Sequence, residues 1–338
     1  MNSEPLHLRA HSCPALESAY RYSCMQLEQL ITLFAVRPER LAGMETIAVG
    51  GSLGRLEATP ASDIDCIMVL CPGTSPRDGK RLAAEVHQIL IGSPLRAPKP
   101  DGIYRQALSM EALLDRTALG SLSEAPEVFG KRMQLLLDAR PVFGFDQFER
   151  ARRAVIDWYA ADFVATAPER GWTFLQNDLM RYLHSYAGWQ QFKFARSADD
   201  SWQLRQAKLR TSRLLTFAAL LFLLGESARD GDKQAWLVTR LSMTPLQRLH
   251  AVMGCYDANA YARLLAVYDT AFALLTDTTV RAELVAGGPD ADTRMTADVS
   301  KVYARIKAVS SEISYLLTSF ALARREDWGM RFFERWLF

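Results

Sequence analysis

The sequence predicts an α/β domain built on a mixed sheet, followed by an all-α helical domain. Three observations carry that prediction. Strands alternate with helices through residues 1–145, helical periodicity dominates from there on, and 338 residues exceed the size of one average domain. The domains are accordingly placed at 1–145 and 146–338.

Taken in order, Ser12 and Pro14 offer a helix start before Ala15 to Val36, where Leu16, Tyr20, Leu27, Leu30, Ile31 and Phe34 recur at helical spacing. Thr46 to Val49 reads as a first strand. A Gly50-Gly51-Ser52 turn follows, and then a second strand, Asp63 to Leu70. Pro72 to Arg77 is a turn and Leu82 to Leu90 an amphipathic helix. Gly92, Pro94, Pro98 and Pro100 mark a loop before a third strand within Gly102 to Leu108. Pro141 to Phe148 reads as the hinge between domains. Beyond it the sequence predicts helices over roughly 149–166, 171–195, 201–225, 232–254, 258–286 and 295–324. The aromatic and basic C-terminus, WGMRFFERWLF, is expected to fold onto its own domain or across a dimer.

Composition narrows the class of protein. Apolar residues make up 49% and charged residues 23%, as in ordinary globular proteins, and a net charge of +2 argues against a dedicated nucleic-acid binder. The five cysteines lack metal-site spacing and predict reduced thiols in a cytoplasmic protein. MNSEPLHLRAHS has no apolar core of the secretory kind. The longest apolar run, Leu214 to Leu224, is about half of the roughly 20 residues a membrane span needs. No membrane partner is expected.

The chemistry concentrates between Thr46 and Leu70. Side chains at i and i+2 of a strand share a face, so Asp63 and Asp65 project together while Ile64 turns away. Two carboxylates beside a phosphate-sized turn suggest a divalent metal. Mg²⁺ (or Mn²⁺) prefers carboxylate and phosphate oxygens, and metal ions bridging the attacking and leaving oxygens assist attack on the α-phosphorus of a nucleoside triphosphate. Asp101, before the third strand, is the candidate third carboxylate, binding a second metal or taking the acceptor's proton. Gly50 and Gly51 allow close backbone approach to phosphate. Ser52 adds a hydroxyl and backbone N–H groups, and Arg55 lies one turn further on.

Gly51-Ser52, ten residues, then Asp63-Ile64-Asp65 resembles the signature of the DNA polymerase β nucleotidyltransferase superfamily. Within it, GGSLGRLEATPASDIDCIMVL is most similar to the PII uridylyltransferase and related bacterial nucleotidyltransferases. NDLMRY and LRQAKLRTSR in the helical half look like segments of that bacterial branch. The resemblance implies a nucleotidyltransferase fold and Lys208 and Ser212 as residues that grip the triphosphate. These two lie on one helix face with Arg205. It further implies transfer of a nucleoside monophosphate to an acceptor hydroxyl with release of pyrophosphate, at a site facing both domains.

By the same resemblance the acceptor is a protein side chain. A tRNA end or other RNA, a small molecule, or a non-catalytic nucleotide-binding regulator are the alternatives. A homo-oligomer is compatible with all of these.

Overall fold

In the computed structural model the described residues are 8, 11–96, 98, 103–115, 117, 121, 123–160, 171–196, 202–227, 232–286 and 297–337. They are mostly helical, with one small mixed sheet of four strands. The chain divides into two compact units. A sheet unit comprises Ala19–Asp178 and Asp230–Thr244, and a helical unit comprises Met1–Ser18, Leu179–Arg229 and Pro245–Phe338. The α/β and all-α characters are both present, but position 145/146 falls inside the sheet unit.

In the sheet unit the strands are β1 (Met44–Gly50), β2 (Asp65–Leu70), β3 (Leu108–Ser109) and β4 (Arg140–Phe143). Their spatial order is β3-β2-β1-β4, with β1 antiparallel to both β2 and β4, and β2 parallel to β3. β1 and β2 are apolar on both faces because both faces are covered. Ile47, Val49, Cys66, Met68 and Leu70 share a core with Leu30 and Phe34 of helix Pro14–Ala35 and with Leu82, Val86 and Leu90 of helix Pro76–Leu90. Ser75 caps that second helix by accepting from the Asp78 N–H at 3.1 Å, with Pro76 in its first turn.

Two expectations are corrected here. Pro141 to Phe148 is not a hinge: Pro141 to Phe143 belong to β4, and helix Phe145–Ala160 starts after Gly144. β4 lies at the sheet edge, where a residue without an N–H is tolerated. Gly144 makes the strand-to-helix corner at φ +64°, and a Cβ there would run into the Glu45 carbonyl. The third strand is also shorter than expected. Ile103–Arg105 is a 3₁₀ turn, and only Leu108 and Ser109 pair with β2, opposite Val69 and Leu70.

Helix Pro126–Leu137 carries a fully buried lysine. Lys131 Nζ donates to the Gln106 carbonyl, and burial pushes its pKa from the ordinary 10.5 down to about 8. The folded state disfavours the protonated amine, so the unfolded chain binds that proton more readily. This contribution to stability is therefore present above pH 10.5 and lost as pH falls through about 8. Burial pushes the Cys66 thiol up from 9.0 to about 12, which gives the opposite slope above pH 9. The informative quantity is the difference between parent and Lys131→Met. Measured by urea unfolding, it is expected to move in the parent's favour from pH 8 to pH 10; a flat difference would contradict the assignment.

In the helical unit, the last segment folds onto its own unit, one of the two expected placements. Trp328 packs on Phe222, Phe320, Phe332 and Phe333 with ring centroids 5.2–6.2 Å apart. Its indole N–H donates to Glu226 at 3.0 Å, and Tyr256 donates to the same carboxylate at 2.6 Å. Asp269 accepts from the Leu16 N–H at 2.8 Å, which ties the start of helix Pro14–Ala35 to this unit. No described helix is long and apolar enough to cross a membrane. All five cysteines are free thiols.

Candidate active site

The antiparallel register of β1 and β2 builds the site. Six pairs run from Met44 opposite Leu70 to Gly50 opposite Asp65, so the end of one strand and the start of the other meet at the glycine turn. Gly51 then leaves β1 at φ +64° and opens a single helical turn, Gly51–Gly54. A side chain at Gly51 would occupy the space of the Asp65 carboxylate. At Gly50 a Cβ would lie 3.4 Å from Asp138 Oδ1 and 3.5 Å from Gln134 Nε2. The two glycines thus sit between two carboxylates, one on each side of the turn. Leu56, with φ +63°, holds the left-handed conformation as the chain leaves.

Asp63 lies just outside β2. It is exposed and forms a parallel bridge with Arg96, and the Ile64 N–H donates to the Arg96 carbonyl at 3.0 Å. Ile64, between it and Asp65, is fully buried. Ser52 is half-buried in the turn. Asp101 lies outside the described residues.

Arg55 is committed elsewhere than a phosphate. Its Nε donates to Glu57 at 2.7 Å and another guanidinium nitrogen to Asp138 Oδ2 at 2.9 Å, with all three side chains at most 10% exposed. A guanidinium holding two carboxylates has little charge left to offer an anion. Arg140 donates from Nε to the Gly54 carbonyl at 2.8 Å. Glu57, Gln134, Asp138 and Arg140 were not read from the sequence as site residues. For Asp138 and Arg140 the available signal is the charge in LLLDARPVF: ionised residues within an apolar run must be paired if they are buried.

Lys208 and Ser212 belong to the helical unit. Lys208 ends helix Trp202–Lys208, and Ser212 lies in the π turn Leu209–Arg213 that joins it to helix Leu214–Ser227. Both are half-buried, with Ser212 Oγ 3.5 Å from the Lys208 carbonyl. The π turn inserts a residue into the helical ladder, a local widening that periodicity does not reveal.

The donor set near the turn suits a hard divalent cation. Asp63 and Asp65 carry carboxylate oxygens, the Asp65 carboxylate lies directly against Gly51, and Cys66 is turned into the core. Among the described residues no three His, Cys, Asp or Glu side chains gather in a ligand group.

Gly51→Ala isolates the closeness of the turn to Asp65. Gly73 has a similar φ, +76°, with nothing within 4 Å of its Cβ position. Gly73→Ala therefore reports the backbone penalty alone, about 1 kcal/mol. Gly51→Ala is expected to exceed it by about 1–3 kcal/mol in denaturant unfolding, because the Asp65 carboxylate must move. Equal losses would show that the turn and Asp65 are not in contact.

No protein-family model matches the chain, and no curated protein matches its sequence.

Proposed function

We propose that the protein is a Mg²⁺-dependent nucleotidyltransferase that moves a nucleoside monophosphate from a nucleoside triphosphate to an acceptor hydroxyl and releases pyrophosphate. The observation that carries this reading is the register that sets Gly50 opposite Asp65, with no room for a side chain between Gly51 and that carboxylate. A glycine turn pressed against a carboxylate gives phosphate oxygens and a cation adjoining seats. The signature at Gly51, Ser52, Asp63 and Asp65 supports the same reading by resemblance.

Asp63 and Asp65 would hold Mg²⁺ or Mn²⁺, with Asp101 as the third carboxylate. The metal, when bound, neutralises phosphate charge and favours displacement at the α-phosphorus. Ser52 and the backbone N–H groups of its turn bind the departing phosphates. Asp101 takes the proton from the acceptor hydroxyl. The role of Arg55 is revised from phosphate ligand to support of the turn.

The acceptor is proposed to be a protein side chain, by resemblance. The test is incubation with each α-³²P-labelled nucleoside triphosphate, Mg²⁺ and cell lysate. Label on protein is expected; label on RNA or on a metabolite alone would replace that acceptor class. Binding with no transfer at all would leave a nucleotide-binding regulator.

A further inference from the structure

The junction between helix Pro126–Leu137 and β4 grips the glycine turn at four points. The Asp138 backbone carbonyl lies where a Cβ of Gly54 would be, so only glycine fits there. Asp138 Oδ2 holds Arg55 at 2.9 Å. Arg140 holds the Gly54 carbonyl at 2.8 Å. Asp138 Oδ1 and the Gln134 amide stand behind Gly50. One short segment therefore fixes Gly50, Gly54 and Arg55 together.

Two of these polar atoms are anomalous. Asp138 is 8% exposed and Gln134 6% exposed, yet Asp138 Oδ1 and Gln134 Oε1 are buried with no hydrogen-bond partner. Leaving a buried acceptor unsatisfied costs about 1–3 kcal/mol, which stability alone would remove by an apolar replacement. Gln134 Nε2 meanwhile donates to the Tyr104 hydroxyl, joining the junction to the 3₁₀ turn Ile103–Arg105.

We infer that Asp138 is a positioning residue for nucleotide binding, with Gln134 as its accessory. It sets the Gly50–Ser52 turn against Asp65 from the opposite side and does not itself touch the nucleotide. This rests on the nucleotidyltransferase reading above. If the turn holds the phosphates, loosening its support displaces several backbone donors at once, and binding weakens more than turnover.

The experiment measures pyrophosphate release by the parent, Asp138→Asn and Gln134→Leu with the preferred nucleoside triphosphate, Mg²⁺ and a lysate-derived acceptor fraction, alongside the melting temperature of each. Asp138→Asn is expected to raise KM for the nucleotide about tenfold or more with a smaller change in kcat. Gln134→Leu removes an unsatisfied amide oxygen together with the Nε2 bond to Tyr104, so it is expected to fold with a modest loss of stability and to raise KM about threefold in the same direction. It decides the matter if Asp138→Asn fails to fold.

A purely structural role would lower the melting temperature and leave KM at the parent's value in the folded variants; that result overturns the inference. No pyrophosphate release by the parent with any nucleotide would instead overturn the nucleotidyltransferase reading, and the positioning role with it.

Discussion

Asp65→Asn is expected to lower nucleotide-dependent pyrophosphate release at least a hundredfold while leaving the fold intact. The side chain is nearly isosteric and sits at the strand start opposite Gly50, so β1–β2 pairing is unaffected. The charge that would hold the metal is gone. A ligand that contributes several kcal/mol to stabilising developing phosphate charge accounts for two or more powers of ten in rate. Steady-state release of pyrophosphate in the presence of the lysate-derived acceptor fraction checks this, with circular dichroism as the control. A variant retaining half the parent's rate would remove Asp65 from the chemistry.

Arg132→Met is expected to destabilise the sheet unit by about 3–5 kcal/mol. Arg132 is fully buried in helix Pro126–Leu137. It pairs with Glu124 at 2.6 Å and with Asp178 at 3.4 Å, and its Nε donates to the Tyr159 hydroxyl at 3.1 Å. Tyr159 in turn donates to Asp178 at 2.6 Å. Burial, and then the Asp178 carboxylate, hold that hydroxyl protonated well above its ordinary range. The guanidinium also lies 4.7 Å from the Trp158 ring centroid. Methionine fills the space but removes the cation that pairs with Glu124 and Asp178. At about 2–4 °C per kcal/mol for a unit of this size, melting should fall by about 10 °C. A change under 2 °C would show that water reaches the pair.

The local features of the fold were legible because they follow from neighbours in sequence. Ser-Pro punctuation, the spacing of Leu27, Leu30 and Phe34, and the apolar runs of β1 and β2 each encode one element. β4 was not legible, because Pro141 and Gly144 read as breakers and only the edge position of the strand accommodates them. Nor was the division into units. Residues 1–18 join the helical unit, where Asp269 meets Leu16 across 253 positions, and no local pattern records that.

The candidate site divides in the same way. Gly50, Gly51 and Asp65 converge because two adjacent strands pair antiparallel, which the strand–turn–strand pattern already implies. Arg55 lies one turn beyond Ser52, which points it to phosphate, while its partner Asp138 is 83 positions away and leaves no local sign. Spacing alone cannot tell a phosphate-binding arginine from one that is satisfied within the fold.

The glycine turn, Asp63 and Asp65 are proposed to transfer a nucleotide. The most direct measurement is pyrophosphate release by the purified parent protein with each of the four nucleoside triphosphates and a lysate-derived acceptor fraction, with Mg²⁺ and then with EDTA. Mg²⁺-dependent pyrophosphate, matched mole for mole by nucleotide label on the acceptor, is the predicted result. Inorganic phosphate without pyrophosphate, or no product from any nucleotide, would contradict it.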